Sequence, residues 1–223
     1  MSKPATWRRQ LRLRFAAHWR VKMAAIPAFA AGFFILYFRL LNHPLFPVAV
    51  MPLTAIDRLV GFAPLAMLPY VSLWPYVLLM PALLLGRREA AGYVAAVVAV
   101  AAVGLGIFLF WPTAIPRLDI DWSRHPSFEF LKRVDAAGNA CPSLHVAFTV
   151  LTAVWLERLL RQIGAPAGLR FLSVVWAIAI VYSTLATKQH VAVDVFAGAA
   201  LGLAGALIYF RPAAAEAPLP AAS

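Results

Sequence analysis

Apolar residues are grouped along this chain in long blocks, separated by short polar stretches. A helix needs about 20 mostly apolar residues to cross the hydrocarbon core of a membrane. Six blocks approach or reach that length, so the pattern predicts an all-α, polytopic membrane protein with six transmembrane helices. The predicted spans are Met23–Leu41, Met67–Gly86, Ala90–Trp111, Ser143–Leu160, Phe171–Thr187 and Val191–Phe210.

Prolines interrupt the second block, which is too long for one straight span. Between Arg58 and Arg87 the chain carries no charge. A single helix over that stretch would measure ~42 Å at 1.5 Å per residue, against a hydrocarbon core of ~30 Å. We therefore interpret Leu59–Ala66 as an interfacial or re-entrant approach to the span.

The blocks divide the chain into three regions. Residues 1–22 form a basic segment, residues 23–211 a six-helix membrane domain, and residues 212–223 an Ala/Pro-rich tail that we expect to be disordered. The basic stretch before the first apolar block is long for a signal peptide, so we interpret that block as an uncleaved anchor. Pro112–Cys141 is the main extramembrane loop.

Composition supports the membrane assignment. Of 223 residues, 63% are hydrophobic and 13% charged, whereas soluble domains carry about 25% charged residues. The net charge of +11 does not indicate a nucleic-acid partner, because seven of the twenty Lys and Arg residues precede the first span. Such a cluster orients the chain and attracts anionic membrane lipids. The single cysteine, Cys141, excludes an intramolecular disulfide.

The distribution of positive charge predicts the orientation. With six spans, thirteen of the twenty Lys and Arg residues fall on the side of the termini. Positive residues are enriched in cytoplasmic loops. We therefore expect an integral protein of a bacterial inner membrane with cytoplasmic termini. Pro112–Cys141 and the short loop around Lys188 would then share the periplasmic face.

Two groups of polar residues fall at that face. Ser143 and His145 stand at the start of the fourth span, where a capped helix N-terminus favours an anion such as phosphate. His190 and Asp194 stand at the start of the sixth span. Residues i and i+4 share a helix face, so the carboxylate would fix one ring nitrogen of His190 and leave the other as a nucleophile or base.

Each group alone has simpler explanations, such as a structural ion pair or an ordinary helix cap. Their joint position at one face favours a two-step phosphoryl transfer with one nucleophilic and one acidic histidine. No metal-binding spacing is present, so no metal is expected. A transporter and a non-catalytic scaffold remain alternatives. The Gly198-x-x-x-Gly202 pattern predicts close helix packing within or between chains, which leaves the oligomeric state open.

Two motifs, CPSLHVAF (141–148) and STLATKQHVAVDVFAGAALG (183–202), resemble the second and third signatures of the type 2 phosphatidic acid phosphatase superfamily. The similarity extends over residues 60–210 and is greatest to the branch with inositol phosphorylceramide synthases. It implies that His190 is the nucleophile that forms a phosphohistidine, Asp194 orients it, and His145 protonates the leaving alcohol. Ser143 and the helix-start amides would hold phosphate oxygens. The family mechanism needs no metal or cofactor.

The sequence departs from the family pattern at two cationic positions. Arg117 is kept in FWPTAIPRL (110–118), but Phe110 replaces the Lys of the first motif, and Thr184 stands where the third motif has Arg. We predict Arg117, Lys188 and Thr184 as further substrate-binding residues. Lys132 and Arg133 are reserve phosphate ligands.

The resemblance implies hydrolysis of a lipid phosphate or pyrophosphate at the outer face. The alternative is a phosphotransferase that moves a phospho-headgroup to a hydroxyl acceptor. The reduced positive charge fits a phosphodiester and a pyrophosphate-linked substrate equally well. The lipid itself stays open.

Overall fold

A computed structural model describes residues 6–126, 128 and 138–209. The basic N-terminal segment is itself helical: α1 (Trp7–Ala16) is followed by α2 (Trp19–Asn42), which begins four residues before the predicted span. His18 joins the two helices in a left-handed conformation, with φ 53°. Arg14 is buried and donates to both carboxylate oxygens of Glu89 at 2.9 and 3.0 Å. This ion pair fixes α1 to the membrane domain.

The second apolar block folds as a broken span, as its prolines predict. It consists of α3 (Ala55–Leu59), a 3-10 turn (Pro64–Ala66), α4 (Met67–Val71) and α5 (Leu73–Leu83). The break falls at Ser72, whose hydroxyl donates to the carbonyl oxygen of Pro69 at 2.7 Å and accepts the indole N–H of Trp176 at 3.0 Å. Proline removes backbone donors from a helix, and the hydroxyl of Ser72 supplies a further donor at the break.

Four longer helices complete the described bundle, and the all-α fold class is confirmed. They are α6 (Arg87–Phe110), α7 (Leu144–Gln162), α8 (Ala167–Ala186) and α9 (Ala192–Ile208). The described extended structure is one parallel pair, β1 (Ala49–Val50) with β2 (Thr113–Ala114), in which Ala49 is opposite Thr113. A 3-10 turn at Trp122–Arg124 follows in the loop after β2.

In the described part, four helical segments are long and apolar enough to cross a membrane: Trp19–Asn42, Pro64–Leu83, Arg87–Phe110 and Ala167–Ala186. The protein is therefore a helical integral membrane protein. Ala192–Ile208 is apolar but has 17 residues. Leu144–Gln162 does not qualify, and its second half carries Glu157, Arg158 and Arg161. The count of six spans stays a prediction, and the predicted tail lies outside the described residues.

Helix α7 lies at the centre of the bundle and packs closely against α9. A Cβ atom on Gly198 would lie 2.3 Å from the carbonyl oxygen of Ser143, and one on Gly202 would lie 2.2 Å from that of Ala147. Only glycine permits this approach. The Gly-x-x-x-Gly pattern therefore packs within the chain, and it brings the first turns of α7 and α9 together.

Candidate active site

Two histidines from distant parts of the chain meet where α7 and α9 begin. Nε2 of His190 lies 3.4 Å from Nδ1 of His145, although 45 residues separate them. Their ring centroids are 5.4 Å apart with the planes inclined at 59°. The structure thus brings together the two predicted histidines. In this short contact, one nitrogen of each imidazole faces a nitrogen of the other ring.

His190 reaches this position through a turn after α8. Its backbone N–H donates to the carbonyl oxygen of Thr184 at 3.1 Å, and Lys188 takes a left-handed conformation with φ 57°. Helix α9 begins only at Ala192, so His190 precedes the helix. The expectation that His190 and Asp194 share a helix face is therefore wrong, because the chain is still extended at Val191.

Asp194 is nevertheless the carboxylate beside His190. It is fully buried, and its Oδ2 lies 3.5 Å from Nδ1 of His190 while it accepts the backbone N–H of Val191 at 3.1 Å. Among the described residues, Oδ1 of Asp194 and Nδ1 of His190 have no hydrogen-bond partner. Contacts of this kind tighten when substrate binds. Asp194 therefore lies beside His190 and at the same time caps the start of α9.

His145 is the second residue of α7. Ser143 caps that helix, with its hydroxyl accepting the N–H of Val146 at 3.3 Å, so Pro142 precedes the helix. The other ring nitrogen of His145, Nε2, lies 3.2 Å from the hydroxyl of Tyr70. Both nitrogens of His145 are therefore engaged, one by Tyr70 and one by His190.

Two of the predicted phosphate ligands make other contacts in the structure. The ammonium of Lys188 donates to the carbonyl oxygens of Asp57, at 3.1 Å, and of Val60. The hydroxyl of Thr184 is buried and donates to the carbonyl oxygen of Val181 at 2.8 Å. These contacts are structural, because they satisfy backbone oxygens near helix ends.

The other predicted ligands lie in three different situations. Ser143 is fully buried at the cap of α7, directly before His145. Arg117 is exposed in the loop after β2 and forms no ion pair with the residues that the structure describes. Lys132 and Arg133 lie outside the described residues. Of the predicted phosphate ligands, Ser143 at the start of α7 is therefore the one that lies next to the histidines.

A large apolar cavity ends at His145. Its volume is about 1170 Å³, and it lies between α2, α4, α5, α6 and α7. Aromatic side chains dominate its wall near the histidine, including Tyr70, Trp74 and Phe148. Ligand pockets usually occupy ~300–1,000 Å³, so this cavity has room for a long hydrocarbon chain.

Asp57 is a site residue that the sequence analysis missed. Its Oδ1 accepts the backbone N–H of Ala192 at 2.8 Å, and its Oδ2 accepts both the N–H and the hydroxyl of Thr54 at 2.7 Å. Thr54 followed three residues later by an acid is a helix-start signature, so α3 could have been found. The long-range contact with Ala192 has no sequence signal.

Cys141 is also close to the site but is chemically inert. The thiol is buried directly before Pro142 and Ser143. Burial raises the pKa of the Cys141 thiol to about 11, and the Asp194 carboxylate adds to the rise. A thiol with this pKa stays protonated near neutral pH, whereas the thiolate is the nucleophilic form. Within the described residues, no group of three or more His, Cys, Asp or Glu is arranged to hold a metal ion.

The fold and site define a class: a helical membrane protein with a pair of histidines and a buried carboxylate at one end of the bundle, and an apolar cavity that leads to one of the histidines. A family model described as the PAP2 superfamily matches residues 82–216. The chain belongs to this superfamily, whose members are typically phosphatases and phosphotransferases acting on lipid phosphates. No curated protein and no solved structure matches the chain in the other two comparisons.

Proposed function

We propose that this protein is a membrane phosphatase that hydrolyses a lipid phosphate or pyrophosphate through a phosphohistidine at His190. One observation carries the proposal: Nε2 of His190 faces Nδ1 of His145 at 3.4 Å, while the buried Asp194 lies behind His190 at 3.5 Å. A nucleophile, an acid and an orienting carboxylate are the groups that a two-step phosphoryl transfer requires.

In the first step, the phosphoryl group enters between the two imidazoles. Nε2 of His190 attacks phosphorus, and the bond from phosphorus to the lipid oxygen breaks. Protonated His145 gives its Nδ1 proton to that oxygen, so the lipid leaves as an alcohol or as a shorter phosphate. Asp194 stabilises the positive charge that develops on His190.

In the second step, neutral His145 takes a proton from water at Nδ1. The water oxygen attacks phosphorus, the phosphorus–nitrogen bond breaks, and phosphate is released. Ser143 and the first-turn amides of α7 hold the phosphate oxygens, since a helix N-terminus favours an anion. Neither step needs a metal.

The cavity supports a lipid substrate. Its apolar wall extends from Tyr70 to Pro81 along α4 and α5, which is ~16 Å at 1.5 Å per residue. A chain in the cavity would place its headgroup at His145, the polar end of that wall. Burial of each methylene contributes about 0.8 kcal/mol, so a long acyl or prenyl chain would dominate binding.

The charge distribution supports a periplasmic site with cytoplasmic termini. The end of the bundle with His190 also contains β1, β2 and α3. The opposite end carries the Arg14–Glu89 and Arg170–Glu157 ion pairs, among the segments richest in Lys and Arg. Positive residues favour the cytoplasmic side, so the histidines would face the periplasm of a bacterial inner membrane.

A phosphotransferase is the second candidate. In the described part of the chain, no Lys or Arg side chain bonds to His190 or Asp194. A site with few cations suits a phosphodiester donor, which carries one negative charge. The phosphohistidine would then pass to a lipid or polyol hydroxyl in place of water.

The first test is phosphate release by detergent-purified protein from a panel of lipid monophosphates and pyrophosphates, with EDTA present. The matched variants are His190→Ala and His125→Ala, since His125 lies in the outer loop against Phe62 and Phe128. We expect release that resists EDTA, is lost in His190→Ala and persists in His125→Ala. An acid-labile, base-stable phosphoenzyme should form only when His190 is present.

Folded protein that forms no phosphoenzyme would overturn the mechanism. A phosphoenzyme without phosphate release from any monoester or pyrophosphate would favour the transferase. A diester donor with a hydroxyl acceptor would then be used, and a headgroup-exchanged lipid would be the expected product.

A further inference from the structure

Tyr70 contacts the histidine pair from outside the region that matches the family model. Tyr70 is buried in α4, and its hydroxyl lies 3.2 Å from Nε2 of His145. The two rings are also stacked, with centroids 5.4 Å apart and planes inclined at 26°. The family match begins at residue 82, so this contact belongs to a part of the chain that the match does not cover.

The position of Tyr70 is fixed by its surroundings. Ser72 follows the last residue of α4, and its hydroxyl donates to the carbonyl oxygen of Pro69. The indole N–H of Trp176 on α8 donates to the same hydroxyl. Trp74 then presents its ring edge-on to His145, with centroids 6.0 Å apart. Tyr70 and His145 are thus held in one orientation by three helices.

The hydrogen bonds can be assigned in only one way if His190 is to attack. The nucleophilic Nε2 of His190 must carry a lone pair, so its Nδ1 carries the proton that faces Asp194. Nδ1 of His145 must then donate to that lone pair. As the proton donor of the first step, His145 is an imidazolium, and its second proton is on Nε2, facing the hydroxyl oxygen of Tyr70.

We propose that Tyr70 is a positioning residue that determines which nitrogen of His145 exchanges protons during the reaction. This inference rests on the proposed phosphohistidine mechanism. The hydroxyl oxygen of Tyr70 accepts the Nε2–H of His145 and keeps that proton in place through both steps. Nδ1 is therefore the nitrogen that gives its proton to the leaving oxygen and later takes one from water.

Without the tyrosine hydroxyl, the Nε2–H of neutral His145 loses the acceptor that Tyr70 supplies, and the preference for this tautomer is weakened. After the first step its remaining proton can move to Nδ1, and such a ring has no lone pair facing the water. General acid–base catalysis contributes ~10²–10⁴-fold to a rate. Loss of the tautomer preference should remove part of that factor, so we expect the rates of both steps to fall roughly tenfold when the tyrosine hydroxyl is removed.

The kinetic test is a double-mutant cycle with Tyr70→Phe, His145→Ala and the double variant. Formation and decay of the phosphohistidine are followed in single turnovers over hours, so that slow variants stay measurable. Tyr76→Phe is the matched control, because its hydroxyl is also buried, on the adjoining helix α5, and Tyr76 is not one of the residues that line the cavity. We expect Tyr70→Phe to slow both steps about tenfold in the native background and not at all in the His145→Ala background. Equal slowing in both backgrounds would overturn the proposal.

A spectroscopic test separates this proposal from the proposed function. In 15N-histidine-labelled protein at mildly acid pH, the Nε2–H signal of His145 is assigned by its loss in His145→Ala. We expect slow exchange of this proton with water in the native protein and in Tyr76→Phe, and fast exchange in Tyr70→Phe. Unchanged slow exchange in Tyr70→Phe would overturn the positioning role, even in a protein that forms no phosphoenzyme. A protected signal that depends on Tyr70 would uphold that role whether or not phosphate is released.

Discussion

Lys188 and Asp57 join the loop that carries His190 to helix α3 through two contacts. The ammonium of Lys188 donates to the backbone carbonyl of Asp57 at 3.1 Å, and the carboxylate of Asp57 accepts the backbone N–H of Ala192 at 2.8 Å. Helix α3 is therefore tied to both ends of the loop that carries His190. This arrangement gives Lys188 a structural contact where the sequence predicts a phosphate contact.

Replacing Lys188 with Ala should lower the thermal stability of the protein in detergent. The carbonyl oxygens of Asp57 and Val60 would lose their donor, and an unsatisfied buried polar group costs about 1–3 kcal/mol. Lys188→Arg should recover part of this stability. Arg58→Ala is the matched control, because it removes an exposed charge from the same short helix. Normal stability with a raised KM for the phosphate substrate would favour the phosphate-ligand role instead.

Asp194→Asn should preserve the fold and abolish most of the turnover. An asparagine oxygen can still accept the N–H of Val191, so α9 keeps its start. The amide cannot stabilise a positively charged His190, and we expect kcat to fall at least ~100-fold. Unfolding temperature and kcat would be measured on the same preparation. Near-native kcat in this variant would remove Asp194 from the proposed mechanism.

Gly202→Ala should separate α9 from α7. The added Cβ would lie 2.2 Å from the carbonyl oxygen of Ala147, which is backbone and cannot move alone. Overpacking of this kind costs ~1–3 kcal/mol, and it should also displace His190 from His145. Gly106→Ala is the control, since its Cβ would meet nothing within 4 Å. We expect lower stability and activity for the first variant only, and equal behaviour of the two would contradict the close packing.

Cys141 should resist alkylation in the folded protein. With a pKa of about 11, the thiol is protonated at every pH well below 11, and the reactive thiolate forms only as the pH approaches that value. Iodoacetamide at pH 8 should therefore leave activity unchanged while labelling the denatured protein rapidly. Mass spectrometry would follow the labelling. Rapid modification of the folded protein at pH 8 would show that the thiol is neither buried nor of raised pKa.

A bulky residue at Val97 should shorten the lipid that the protein prefers. Val97 lines the apolar cavity on α6, whereas the next residue, Val98, is exposed. Val97→Phe should raise KM for long-chain lipid phosphates and leave short-chain substrates unaffected. Val98→Phe should change neither. If Val97→Phe also left the long-chain KM unchanged, the chain would bind elsewhere.

Much of this protein could be predicted from its sequence because membranes impose simple rules. Apolar length and proline positions indicated the helices, but the break at Ser72 falls inside the span that was predicted as continuous. The motifs around His145 and His190 indicated the histidine pair, since two helix starts on one face meet when the bundle closes. The prediction that His190 shares a helix face with Asp194 was wrong. The end of α8 and the left-handed conformation of Lys188 place His190 before α9, and both depend on contacts with α3.

The sequence by itself determined the fold class, the superfamily and the two histidines, because apolar blocks and local motifs depend on residues close together in the chain. Tertiary structure alone decided the partners of Lys188 and Asp57, the contact between Tyr70 and His145, and the cavity that ends there. These contacts join residues 75 or more positions apart. Their geometry depends on how α3, α4 and α9 pack around α7, and no local pattern encodes that packing.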